Sequence, residues 1–156
     1  MDDDLTALLG QYDEPEHLEV PSGYHHARTR ALFERLVAGL ESSFGSRCEV
    51  DRQVQDAAFH GRLDVPGEAT VAGERIVVKV SNFGSMAVIA AENPGIHLDT
   101  GEAVEAGALD PADLARVEEV LAELGYVVLP ERLLWRRYDG VVPGLETWWN
   151  RYFDYL

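Results

Sequence analysis

Apolar residues recur every three or four positions in two long stretches of the chain, and this spacing predicts two amphipathic helices. The first stretch covers residues 24–44 and is followed by Gly45, which can adopt the left-handed backbone conformation of a helix C-cap. The second begins after Asp110, a favourable N-cap, has Pro111 at its first position and ends before Gly125. Its predicted buried stripe consists of Leu114, Val117, Leu121 and Leu124.

The pattern between these two helices changes to short apolar runs, which are typical of β-strands. Apolar residues lie at even positions in residues 48–54 and at odd positions in residues 57–65, so we expect a bulge or a turn where the phase changes. Residues 75–80 and 86–91 are denser apolar runs, and the short segment between them predicts a hairpin of two central strands. Residues 126–129 can add a further strand.

The remaining segments complete the predicted architecture. Residues 94–109 are predicted to be a loop, and the apolar spacing of residues 145–156 predicts a docked C-terminal helix. Residues 1–22 have no sustained period, so we interpret them as an acidic arm with a short turn or helix at most, followed by a single domain over residues 23–156. The element order predicts an α+β two-layer domain, in which an antiparallel β meander of three to five strands packs against two or three helices.

The net charge is large and unevenly distributed. The 156 residues include 28 acidic and 13 basic ones, which gives a formal net charge of −15. Residues 1–22 contain seven acidic residues and no lysine or arginine, residues 92–124 contain nine acidic residues and one arginine, and the rest of the chain is neutral. This charge disfavours nucleic acids and anionic membrane surfaces as partners, because both attract basic proteins. No apolar run reaches the roughly 20 residues that a membrane-spanning helix needs.

The cysteine content and the start of the chain favour a reducing cytoplasm. Cys48 is the only cysteine, so no internal disulfide can form. Asp2, Asp3 and Asp4 follow Met1, whereas a secretory signal begins with basic residues. Twelve of the 13 basic residues are arginine, a composition typical of a GC-rich bacterial genome.

Motifs of catalysis are missing from the sequence. No segment matches a phosphate-binding loop, a zinc-protease motif, a nucleophile elbow or a calcium-binding loop, so we expect neither an enzyme nor a bound cofactor. Two pairs leave an enzymatic or metal-binding alternative open: His60 with Asp56 on one predicted strand, and His97 with Asp99. A further alternative is a small-ligand module whose apolar pocket is lined by Phe59, Ile76, Val78 and Val88.

The favoured hypothesis is a small acidic binding protein that inhibits or regulates a basic protein partner, and more narrowly a bacterial immunity protein or antitoxin-like inhibitor of a cationic toxin enzyme. Glu119 and Glu123 lie four residues apart on one predicted helix, where their like charges repel each other. A solvated face that serves only solubility is the competing explanation. The predicted partner-binding residues are Asp99, Glu102, Glu105, Glu118, Glu119 and Glu123, with Trp149 and Tyr155 as exposed aromatic anchors.

Overall fold

Six helices and one five-stranded sheet make up the fold in a computed structural model, which describes residues 2–156. The helices are α1 (Asp2–Gln11), α2 (His26–Phe44), α3 (Thr100–Glu105), α4 (Pro111–Glu123), α5 (Glu131–Leu134) and α6 (Trp148–Tyr152). The strands are β1 (Glu49–Asp51), β2 (Phe59–Val65), β3 (Ile76–Ser81), β4 (Met86–Ala91) and β5 (Val127–Val128). The predicted α+β two-layer class is confirmed, with more helices than the two or three expected.

The sheet has the order β1-β2-β3-β4-β5 and extends the predicted antiparallel meander by one parallel strand. Neighbours from β1 to β4 are antiparallel, and Leu63 of β2 pairs with Val50 on one side and Val78 on the other. β5 pairs with β4 in parallel because α3 and α4 carry the chain back before β5 begins. The predicted β3–β4 hairpin closes with Gly84 and Ser85, whose φ angles of 59° and 52° are typical of a type I′ turn.

The first hydrophobic core lies between one face of the sheet and helices α2, α3 and α4. The helices contribute Phe33, Leu36, Val37, Leu40, Ala103, Val117 and Leu121 to it. Phe33 packs directly on Gly61 of β2, since a Cβ atom at position 61 would lie 2.7 Å from the end of the Phe33 ring. The close approach of α2 to the sheet therefore requires glycine at this position.

A second hydrophobic core covers the opposite face of β4 and includes residues from both chain ends. Met86 and Val88 of β4 pack there with Leu9 of α1 and with a group from the C-terminal part, which includes Leu134, Trp148, Trp149, Tyr152 and Phe153. Ile76 and Val78 lie in the first core, because alternate residues of a strand face opposite sides of the sheet. The sheet therefore lies between Val88 and these two residues. The prediction of one apolar pocket lined by all three is wrong.

A buried ion pair joins the N-terminal segment to the C-terminal one. Nε of Arg151 donates to Oδ1 of Asp13 at 2.7 Å, and the two side chains are only 1% and 4% exposed. The guanidinium group also donates to the backbone carbonyl oxygens of Glu14 and His17, and the hydroxyl of Tyr138 donates to Asp13. These contacts hold the acidic N-terminal segment against the body of the domain.

Two local predictions are wrong, and in both places the backbone makes a different set of hydrogen bonds. The predicted loop over residues 94–109 contains α3, which Asp99 caps by accepting from the backbone N–H of Glu102 at 2.9 Å. The predicted helix over residues 145–156 is reduced to α6. It ends early because the last residues of the chain pair with residues 56–58 instead of continuing the helix.

We expect Gly61→Ala to lower the free energy of unfolding by about 2 kcal/mol, because the added methyl group overlaps the buried ring of Phe33. Gly10→Ala is the matched control. Gly10 lies in α1 with no atom within 4 Å of an added methyl group, so helix propensity should raise the free energy of unfolding by up to about 1 kcal/mol. Urea unfolding followed by circular dichroism measures both variants. Wild-type stability of Gly61→Ala would contradict the close packing.

Removal of the buried guanidinium group in Arg151→Met should lower the free energy of unfolding by about 3–5 kcal/mol, because the charge of Asp13 stays buried without its partner. Arg52→Met removes an exposed ion pair with Glu34 of similar length, 2.8 Å, and should cost less than about 1 kcal/mol. Thermal and urea unfolding of the two variants test the difference. Similar losses of unfolding free energy in the two variants would contradict the expectation that burial makes the Asp13–Arg151 pair more important for stability.

Candidate functional site

A groove of about 410 Å³ lies where the start of α3, α4, β5 and α5 meet. Its polar lining consists of Asp99, Thr100, Glu118, Glu131 and Arg132, and its apolar lining includes Leu5, Ile89, Val128, Leu129 and Pro130. We name this surface the acidic groove, because three of its four charged residues are carboxylates. The groove therefore offers negative charge beside apolar surface.

The predicted carboxylates on α3 and α4 are exposed, and within residues 2–156 they form no ion pair. They are Glu102, Glu105, Glu118, Glu119 and Glu123. Asp99 differs from them, because its Oδ1 caps α3 while its Oδ2 accepts from Nη1 of Arg132 at 3.2 Å. Asp99 therefore shapes the groove, whereas the five glutamates present their charge to solvent.

Four residues of the predicted acidic patch form two separate clusters on or beside α4, Asp99 with Glu118 and Glu119 with Glu123. Glu118 lines the acidic groove together with Asp99, whereas Glu119 and Glu123 do not. Successive residues of a helix are about 100° apart around its axis, so Glu118 and Glu119 point in different directions. Glu119 and Glu123 are neighbours on one helix face because they are one turn apart. A partner that covers α4 can contact both clusters, but the groove itself contains only the first.

The most buried carboxylate of the groove, Glu131, was not among the predicted site residues. It begins α5 and is 2% exposed, and its Oε2 accepts from the backbone N–H of Gly95 and from Nε1 of Trp135, both at 2.7 Å. Burial raises the pKa of Glu131, and the two hydrogen bonds offset only part of that rise. No local pattern predicts this burial, because an acidic residue after Pro130 is ordinary in the first turn of a helix.

Three exposed apolar side chains lie beside the acidic groove, and we name them the apolar rim: Ile96, Leu98 and Trp135 are 53%, 51% and 36% exposed. Leu98 immediately precedes Asp99 of the groove, and Trp135 donates to Glu131. The rim was not predicted, because the segment that carries Ile96 and Leu98 has no period and its position depends on contacts with α5.

The predicted aromatic anchors differ from the aromatic side chain that the groove exposes. Trp149 is buried, because its ring stacks on Trp135 at 4.8 Å and lies 5.0 Å from Nζ of Lys79, so its predicted exposure is wrong. Tyr155 is exposed, but its ring packs on Phe59 at the start of β2, whereas the groove lies beside β4 and β5. Trp135 is therefore the aromatic residue at the groove.

The histidine pairs of the alternative hypothesis do not form a metal-binding group of three ligands within the described residues. The ring of His60 packs edge-on against Phe33 at 5.3 Å, and burial lowers its pKa. Nε2 of His97 lies 2.9 Å from an oxygen of Glu92. Burial also raises the pKa of the Cys48 thiol to about 11, so this group is a thiol and not a nucleophilic thiolate at neutral pH.

Comparisons of the chain with protein-family models, with curated proteins and with solved structures find no match. Among the helices of residues 2–156, none has the length and apolar character needed to cross a membrane.

Glu131 should make the free energy of unfolding depend on pH. The folded protein holds the Glu131 proton more tightly than the unfolded chain does. This group therefore favours the folded state fully below its ordinary pKa of 4.5, and loses that contribution as the pH rises through the raised pKa. As the pH rises from about 4 to about 7, we expect the free energy of unfolding of Glu131→Gln to increase relative to that of the wild type, as measured by urea unfolding.

The control for this experiment is Glu146→Gln, which removes an exposed carboxylate and so reports the effect of net charge alone. Parallel stability curves for the wild type and Glu131→Gln over the same pH range would contradict the assignment of this dependence to Glu131.

Proposed function

We propose that this protein binds a basic protein partner through the acidic groove, the apolar rim and the exposed glutamates of α3 and α4. One observation carries the proposal: the acidic groove exposes the carboxylate of Glu118, which forms no ion pair within residues 2–156, and the exposed side chains of the apolar rim lie beside the same groove. A surface that served solubility alone would need the charges, but not Ile96, Leu98 and Trp135, whose exposure to water is unfavourable without a partner.

The charged and apolar parts of this surface would act at different stages of binding. The exposed carboxylates attract and orient a basic surface from a distance, which accelerates association at low salt. The apolar rim then excludes water from the contact and slows dissociation. Trp135 is the side chain best suited to this second role, since tryptophan is among the residues that contribute most to binding energy at interfaces.

The class of partner that fits this surface is a cationic enzyme that acts on an anionic substrate. Carboxylates placed in the positively charged cleft of such an enzyme would occupy the site of its substrate and block it. On this basis we propose an immunity protein or antitoxin-like inhibitor that works in the bacterial cytoplasm by binding and not by catalysis. The same negative charge would repel nucleic acids.

Charge reversal in the groove should weaken binding of the partner. Affinity capture from the source cells with the wild-type protein provides the partner, and titration calorimetry then compares variants across a salt series. We expect Glu118→Lys to raise Kd by about tenfold or more at low salt, with a smaller difference at high salt, because the lost attraction is screened there. Glu146→Lys is the control, since it makes the same charge change at an exposed position outside the groove.

An acidic captured partner, or equal weakening of binding by Glu118→Lys and Glu146→Lys, would contradict this proposal.

Leu98→Ala tests the apolar rim separately, because it removes apolar surface without changing the charge. It should speed dissociation and leave the association rate unchanged. Val141→Ala is its control, since Val141 is 58% exposed and lies outside the groove and its rim.

A further inference from the structure

A second cavity, of about 260 Å³, lies between the N-terminus of α2 and the β3–β4 hairpin. Among the described residues it shares no lining residue with the acidic groove. We name it the α2 cavity. Its exposed lining includes Ser22, Arg28 and Ser85, its half-buried lining includes Tyr12 and Leu32, and its buried lining includes Tyr126.

The α2 cavity is lined in part by Tyr126, whose buried hydroxyl has no partner within the described residues. Tyr126 is 7% exposed, and within residues 2–156 its hydroxyl makes no hydrogen bond. Burial raises the pKa of Tyr126, so the hydroxyl keeps its proton and can donate it. A buried hydroxyl without a partner costs free energy that phenylalanine at the same position would avoid. A ligand that reaches Tyr126 through the cavity would remove that cost.

The remaining charge and hydrogen-bond donors of the cavity favour an anion. The Arg28 guanidinium forms no ion pair, and the hydroxyls of Tyr12, Ser22 and Ser85 form no hydrogen bond within the part of the chain that the structure describes. The cavity also adjoins the N-terminus of α2, a helix of 19 residues, whose dipole is positive at this end. Among the described residues no aspartate or glutamate lines the cavity, although the net charge of the protein is −15.

The walls of the cavity include an aromatic ring and apolar surface, against which the ring of a small ligand could pack. Tyr12 packs against Gly84 so closely that a Cβ atom there would lie 2.5 Å from the tyrosine ring, which fixes Tyr12 as one wall. Leu32 adds apolar surface. The volume admits a small molecule but not a peptide helix, whose diameter with side chains is about 10 Å.

We propose that the α2 cavity binds a small cyclic carboxylate, with the carboxylate at Arg28 and the α2 N-terminus and a polar ring substituent at the hydroxyl of Tyr126. A guanidinium group can donate two parallel hydrogen bonds to a carboxylate. This site is independent of the proposed binding of a basic protein, because its residues lie outside the acidic groove and its rim.

The test uses the full chain and three related probes: 4-hydroxybenzoate, benzoate and 4-hydroxybenzyl alcohol. We expect 4-hydroxybenzoate to bind most tightly in titrations followed by NMR, with shifts concentrated at the lining of the cavity: Tyr12, residues 21–29, Leu32, residues 80–85 and Tyr126. Tyr126→Phe should raise Kd for 4-hydroxybenzoate by about two- to tenfold and leave Kd for benzoate unchanged. Arg28→Gln should raise Kd for both carboxylates by about tenfold and leave the neutral alcohol unaffected.

The control is Arg30→Gln, which removes the same charge from the same helix at an exposed residue that does not line the cavity. Tyr126→Phe should unfold at the same or a higher temperature than the wild type, which separates a loss of binding from a loss of structure. Absence of saturable 4-hydroxybenzoate binding at millimolar concentration would overturn the proposal. Equal binding by the wild type, Arg28→Gln and Tyr126→Phe would also overturn it.

Discussion

The buried ion pair between Asp13 and Arg151 is the interaction on which the placement of both chain ends depends. Two opposite charges are stable in a closed interior only when hydrogen bonds satisfy the rest of each group. Arg151 meets this condition through backbone carbonyl oxygens of residues 14–18, and the rings of Phe83 and Tyr152 lie 4.9 Å from its guanidinium carbon. Because so many partners converge on one guanidinium group, the segment after α1 has little conformational freedom.

The N-terminal segment held by this pair contributes a wall to each of the two proposed sites. Leu5 of α1 lines the acidic groove, and Tyr12, next to Asp13, lines the α2 cavity. A displacement of the segment would therefore alter both sites, even though they share no lining residue. The geometry of each site thus depends on a charge pair that belongs to neither.

Patterns within short segments of the sequence predicted the elements that are stabilised by residues close together in the chain. α2 and α4 carry their own caps and apolar stripes, and the β3–β4 hairpin carries its own turn. Contacts between distant residues decide the rest. An apolar period cannot show that Arg151 is buried or that Trp149 lies beneath Trp135. In the candidate site, the apolar spacing of α4 predicted that its glutamates are exposed. The burial of Glu131 could not be predicted in this way, because it depends on a hydrogen bond from a loop 36 residues away.

The acidic residues of the chain differ in how far the fold itself explains them. Asp13 neutralises Arg151, Asp99 and Asp110 cap helices, and Asp113 accepts from the backbone N–H of Val71 at 2.7 Å. Within residues 2–156 the exposed glutamates of α3 and α4 have no such partner, and those one turn apart on α4 repel each other. Residues 23–91 contain equal numbers of acidic and basic residues, so this part of the chain folds without a cluster of acidic residues. The clustering lowers stability without improving the packing, and the proposed contact with a basic surface would give it a physical reason.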